Sequence, residues 1–231
     1  MRQSVRAPLS ATRDALSRLF YGRCFYLFVT LLVLVAIAPF VEAQRGGLAI
    51  RYIVSAVVML AAVAAVGRSI VSFTFVLALA APAMTFRWLS LQSGDAHYLD
   101  LALRLDAGVY AATIAFLLRF VFDRQVLTSD RLWGAAAAYL MIGVLWSILY
   151  SIIDRFGVPA FAIRGASTPM ELNDLLYFSF GTLTTSGFGD IVPVTRIART
   201  AAMIEGIVGQ LFIAILIARL VGVYPQPVAR E

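Results

Sequence analysis

The residues best placed to do chemistry are Thr184-Thr185-Ser186-Gly187-Phe188-Gly189-Asp190, between two long apolar segments near the C-terminus. Gly187 and Gly189, two apart, permit the positive φ values that let successive backbone carbonyls point the same way. Thr185 adds a hydroxyl or carbonyl oxygen at the inner end, and Asp190 a carboxylate at the outer mouth. A column of such oxygens can replace the hydration shell of a cation. Nothing resembles a catalytic constellation: the acids are scattered, and the single His97 and single Cys24 lie far apart. The chain has no lysine, which excludes the nucleotide-binding pattern Gly-x-x-x-x-Gly-Lys.

Such a loop needs elements to hold it. Upstream, Thr168-Pro169-Met170-Glu171 reads as a helix start, with Thr168 as N-cap, Pro169 first and Glu171 closing a capping box. The helix is expected over 169–184, about four turns, too short for a bilayer that needs about 20 apolar residues. A short helix feeding irregular backbone is tolerated in a membrane only where it is buried in protein or lines a water-filled path. Its C-terminal end would favour a cation near the membrane centre. Downstream, Ile191-Val192-Pro193-Val194-Thr195 leads into a long apolar helix. The composition agrees: 61% hydrophobic and 14% charged, with a mean hydropathy of +0.87, against roughly 25% charge in soluble domains. Six spans are expected, at 24–41, 52–67, 70–87, 105–122, 132–153 and 197–221.

The segment Thr185-Ser186-Gly187-Phe188-Gly189-Asp190, with these flanks, resembles the signature of the potassium-channel superfamily in its Gly-Phe-Gly form. The resemblance covers about Leu132 to Tyr224. It implies an all-α integral membrane protein of six transmembrane helices. A re-entrant pore helix and filter loop would lie between helices 5 and 6, and four identical chains would surround one axis. One chain provides one filter strand without an internal repeat, so three identical subunits are the expected partners. The implied organisation is a cytoplasmic segment 1–23, a four-helix membrane domain 24–131, a pore domain 132–224 and a short tail 225–231. K⁺ would bind at Thr185, Ser186, Gly187 and Phe188, with Gly189 completing the filter. Asp190, Thr184, Tyr177 and Glu205 would support it. No cofactor is expected beyond the permeant ion. Two positions depart from the commonest signature: Ser186 stands for Val, and Phe188 for Tyr. Tyr177 and Phe178 supply an aromatic cuff, Tyr177 is placed to donate to Asp190, and Gly181 sits where some members keep a carboxylate. Fewer lateral tethers suggest a deformable filter that inactivates readily or separates K⁺ from Na⁺ less sharply.

Charge sets the expected orientation. The formal net charge is +6, all 19 basic residues are arginine, and most flank span ends. They read as interfacial anchors rather than a nucleic-acid surface. Arg2, Arg6, Arg13, Arg18 and Arg23 against Asp14 place the N-terminus in the cytoplasm. Six spans then bring the C-terminus there too, with Asp190 facing outward. Arg68, Arg124 and Arg131 fall inside, whereas Arg45, Arg87, Arg164 and Arg196 fall outside. The first span reads as a signal anchor, its apolar core from Cys24 to Val41 exceeding a signal peptide's. Cys24 reads as a small apolar residue, and His97, in the outer loop Ser93–Tyr98, as a surface histidine. No C-terminal sensing domain is expected after Val221, and such a regulator is expected to be a separate protein. A prokaryotic plasma membrane is the expected location.

Voltage sensing requires several charges on one helix, since moving one through the field yields only about 2.3 kcal/mol per 100 mV. The fourth span has Arg104 at one end and Arg119 near the other, with no basic residue between. Weak or absent voltage dependence is expected. On the last span, Gly209 falls where the superfamily often carries a hinge glycine, and Gly206 lies one turn earlier. Bending and close packing are both open. Gln210 is expected to turn toward the central cavity or to bridge helices. Ile213 and Ile217 share its face and would narrow the lower pore as an apolar gate. Glu205 is the costliest residue of that span. It is expected behind the filter in a structural role, protonated or hydrogen-bonded to Thr182 or Thr184. Three functions follow: a potassium-selective channel, a less selective cation channel on the same fold, and a non-conducting membrane subunit or sensor. None is an enzyme.

Overall fold

The structure is a computed structural model that describes residues 23–42, 70–123, 128–155, 158–163, 165–166 and 170–223. In chain order it contains α1 (Arg23–Glu42), α2 (Ile70–Ser93), α3 (Ala96–Val121), α4 (Ser129–Asp154), β1 (Phe161–Ile163), α5 (Leu172–Leu183), β2 (Ile191–Pro193) and α6 (Arg196–Val223). Among the described residues four stretches are long and apolar enough to cross a membrane: Phe73–Ser93, Ala96–Val121, Ser129–Asp154 and Arg196–Gly222. The chain is therefore built as an integral membrane protein. α1 coincides with the expected span 24–41 at 20 residues. The expected span 52–67 lies outside the described residues, as do the N-terminal segment 1–22 and the tail 224–231.

Two expected boundaries need correction. The outer loop around His97 shrinks to a two-residue break, Gly94-Asp95. Gly94 ends α2 at φ +66, with its N–H bonded to Ser90 O at 3.0 Å. Asp95 then caps α3 by accepting from His97 N at 2.9 Å. Both helices therefore run beyond their apolar stretches, because local capping suffices to extend them. α5 also starts later than Pro169, at Leu172, with Glu171 as N-cap. Met170 N–H is taken by Asp154 Oδ2 at 3.0 Å, which keeps residue 170 outside the helix. Asp174, not Glu171, supplies the third-position carboxylate, accepting from Glu171 N at 3.4 Å. α5 is 12 residues long, about three turns rather than four.

α4 is the hub, packing against α1, α3, α5 and α6. Its small residues permit this. Ala135, Ala137 and Ala138 are fully buried, and a Cβ on Gly134 would come 3.3 Å from Val121 and 3.4 Å from the Cys24 sulfur. Small residues at helix crossings let backbones approach closely, which drives association in lipid. Cys24 is buried as expected, and its N–H donates to Asp130 Oδ1 at 3.1 Å. At the other end of α4, Asp154 accepts from Ala160 N at 2.7 Å as well as from Met170. This ties the α4–α5 connection to its helix. β1 and β2 pair antiparallel, Ala162 opposite Val192, and so bring the segment after the glycine loop back against the segment before α5.

α6 is an unbroken helix of 28 residues. At its crossing with α5, a Cβ on Gly209 would stand 2.3 Å from the Leu183 carbonyl oxygen, whereas one on Gly206 would meet nothing within 4 Å. Gly209 is a packing glycine here. Gly209→Ala is expected to lower stability by about 1–3 kcal/mol, the usual cost of overpacking. Gly206→Ala should cost nothing or stabilise, because alanine favours helix. Thermal unfolding of both variants in detergent checks this, and equal effects would remove the packing assignment.

Candidate functional site at the α5–α6 loop

The loop from Thr184 to Asp190 is held by groups from three helices. Tyr139 on α4 donates its hydroxyl to Leu183 O at 3.1 Å, fixing the end of α5. Within the turn, Thr184 N bonds Phe180 O and Thr185 N bonds Thr182 O, each at 3.0 Å, and Gly187 N reaches Gly181 O at 3.1 Å. Positive φ recurs at alternate residues: Thr185 at 59°, Gly187 at 52° and Gly189 at 77°. Glycine adopts this region freely. A β-branched Thr does not, and a non-glycine residue there costs about 1–3 kcal/mol unless its surroundings impose it. The imposition is visible: Thr185 Oγ1 donates to Thr184 O at 2.7 Å and accepts from Gln210 Nε2 at 3.2 Å.

Ser186 and Phe188 are less free than the sequence implied. Thr184 Oγ1 and Ser186 Oγ lie 3.0 Å apart, so a hydroxyl pair replaces the packing that Val would make. The Phe188 ring stacks on Tyr177 at 5.5 Å with 14° between planes, and the Tyr177 side chain hydrogen-bonds Asp190. Asp190 also accepts from Ile191 N at 3.0 Å. Phe178 does not join this cuff. It packs away from the loop, edge-on to Tyr150 and Phe161 at 5.2 Å each, because consecutive residues of a helix point to different faces. Behind the loop is a cavity of about 360 Å³ lined by Val35, Tyr177, Gly181, Thr184, Ser186 and Phe188 among others. It lies where a larger residue at 181 would fill space.

Glu205 is fully buried, but neither Thr182 nor Thr184 is its partner, since Thr184 Oγ1 donates to Phe180 O at 2.6 Å. Its partners are Tyr150 from α4, which donates to Oε2, and Ser179 from α5, whose Oγ lies 2.5 Å from Oε1. Ser179 Oγ also lies 2.8 Å from Gly143 O on α4. A Cβ on Gly143 would meet the Phe180 ring at 2.8 Å, so this glycine permits the α4–α5 approach. Tyr139, Tyr150 and Ser179 were not singled out from the sequence. The one available hint was a carboxylate inside an apolar span, which demands a polar partner somewhere.

Farther along α6, Gln210 meets the inner end of the loop through Thr185, while Ile213 and Ile217 are exposed in the single chain. Below them, Arg219 Nη2 donates to Asp123 O at 2.6 Å and its guanidinium lies 5.0 Å over the Phe122 ring. One pairing of charges escaped the sequence reading. Asp106, buried on α3, pairs with Arg87 of α2, which places Arg87 against protein rather than free at a span end. Among the described residues no group of three or more His, Cys, Asp or Glu is arranged to hold a metal ion.

The comparisons fall on this same region. A family model described as "Ion channel" matches residues 137–224, from α4 through α5 and the loop to the end of α6. Protein LctB of Bacillus caldotenax is 30% identical over 99 residues, covering 41% of this chain and 73% of the relative. No solved structure matches. With most of that relative spanned and the family model covering the helices that carry the loop, this chain belongs to the ion-channel family, within the potassium-channel superfamily.

Proposed function

We propose that the chain is one subunit of a homotetrameric, potassium-selective channel that conducts K⁺ passively through the Thr185–Gly189 backbone. The alternation of left-handed residues at 185, 187 and 189 carries the reading. Extended backbone sends successive carbonyls to opposite sides, whereas alternating handedness turns them to one side, as a column of ion ligands requires. In this reading α5 is a re-entrant pore helix, Thr185, Ser186, Gly187 and Phe188 bind the ion, and Asp190 stands at the outer mouth. Gln210 sits beneath the filter, with Ile213 and Ile217 lining the lower passage. Residues 132–224 form the pore domain, 24–131 the surrounding four-helix domain, and 1–23 and 225–231 the cytoplasmic ends of a plasma-membrane protein.

Partner subunits have a place to sit on α6. Met203, Ile207, Leu211, Ile215 and Val221 each leave more than half of their surface exposed in the single chain, and this apolar face must meet lipid or another subunit. A less selective cation channel is the second reading, favoured by the space behind the loop at Gly181 and by Ser186 and Phe188.

K⁺ and Na⁺ efflux from liposomes tests both. K⁺ flux well above Na⁺ flux, abolished by Gly187→Ala/Gly189→Ala, is the expected result, and Ser186→Val/Phe188→Tyr should widen the ratio or slow current decay. Equal K⁺ and Na⁺ fluxes would favour the second reading, and absence of flux from assembled tetramers would favour a non-conducting subunit.

The charges of the four-helix domain support weak voltage dependence. No basic residue separates Arg104 from Arg119 on α3, and Arg87 is ion-paired with Asp106. Conductance in planar bilayers is expected to vary shallowly with voltage. A steep relation requiring several charges per subunit, each worth about 2.3 kcal/mol per 100 mV, would contradict this.

A further inference from the structure

The contacts around Glu205 contain one oxygen too many for a carboxylate. Ser179 carries a single hydroxyl hydrogen and can otherwise only accept. Its Oγ nevertheless lies within bonding distance of two oxygens, Gly143 O at 2.8 Å and Glu205 Oε1 at 2.5 Å. The Gly143 carbonyl can only accept. If Glu205 were ionised, Ser179 would face two acceptors with one hydrogen, and one buried contact would be a repulsion between lone pairs. A neutral carboxylic acid removes the conflict. Tyr150 donates to Glu205 Oε2, Glu205 donates from Oε1 to Ser179, and Ser179 donates to Gly143 O. Every hydrogen then has one acceptor. Glu205 and Ser179 are fully enclosed, and an unpaired charge in such a place is far costlier than a satisfied neutral network.

We propose that Glu205, as the neutral acid, is a positioning residue that fixes α6 against the loop-bearing helix α5 through the relay Tyr150–Glu205–Ser179–Gly143. It is a link of three helices. Tyr150 and Gly143 belong to α4, Ser179 to α5 and Glu205 to α6. Gly209, one turn farther along α6, then lands on Leu183, the last residue of α5. A displacement of α6 is thereby transmitted to the start of the loop. The inference rests on reading that loop as the ion path, but the protonation of Glu205 does not.

Infrared spectroscopy and ion flux on the full-length protein test the two parts separately. The carboxylic-acid C=O stretch of the wild type should vanish in Glu205→Gln. That variant keeps one acceptor and one donor in the same places and adds a second N–H, so its K⁺/Na⁺ flux ratio and thermal midpoint should stay much closer to the wild type than those of Ser179→Ala. Ser179→Ala breaks the relay and leaves Glu205 without its acceptor. Its thermal midpoint should drop, the cost of one unmade buried hydrogen bond, and its flux ratio should fall well below that of the wild type. A carboxylate band assigned to Glu205, or a Glu205→Gln variant as impaired as Ser179→Ala, would overturn the proposal. If the wild type passes no ions, the infrared band still decides the state of Glu205, and it is the channel reading that falls.

Discussion

The crossing of α4, α5 and α6 is the constraint on which the rest of the molecule depends. α5 is too short to be held by its own ladder of hydrogen bonds, since helices of this length are marginal in isolation. Its position comes from its neighbours. Tyr139 and Gly143 of α4 take one side, at Leu183 O and Ser179, while Gly209 and Glu205 of α6 take the other. Where α5 ends, Thr185 is driven into a left-handed conformation that a β-branched residue avoids. The strain persists because Gln210 and the neighbouring carbonyls hold its hydroxyl and N–H.

This arrangement explains why polar residues stand inside an apolar chain. In lipid, each backbone or side-chain polar group needs a partner within the protein. Asp154 answers the N–H groups of Ala160 and Met170, Asp130 that of Cys24, and Glu205 the hydroxyl of Tyr150. Asp130, Asp154 and Glu205 thus lie at junctions between segments. The α6 end follows the same logic, with Arg219 donating to a backbone carbonyl at the α3 terminus and covering an aromatic ring.

Much of this was legible in the sequence, but not its cross-links. The apolar runs located five described helices, because hydrocarbon length and helix rise leave little choice, but the break between α2 and α3 was placed too wide, since both helices continue past their apolar stretches. Gly187 and Gly189 announced the irregular loop through their backbone freedom. Glu205 announced only that it needed a partner. Its partners, 26 and 55 residues away, leave no local trace, and a serine and a tyrosine in apolar helices look like ordinary packing residues. The same holds for Asp106 with Arg87. The start of α5 was misplaced because Thr168-Pro169 forms a good local helix signal, while the competing hydrogen bond from Met170 to Asp154 is non-local. Phe178 was assigned to the wrong side because the sequence does not say which face of α5 meets α4, and its fixed phase relative to Tyr177 turns it away from the loop.

A high-resolution structure of the detergent-solubilised protein in K⁺ would test the central claim most directly. Four copies with their Thr185–Gly189 backbones around one axis, carbonyl oxygens inward and ion density between them, are the predicted result. Loops that face away from one another, or a symmetric assembly with no ion density along its axis, would contradict it.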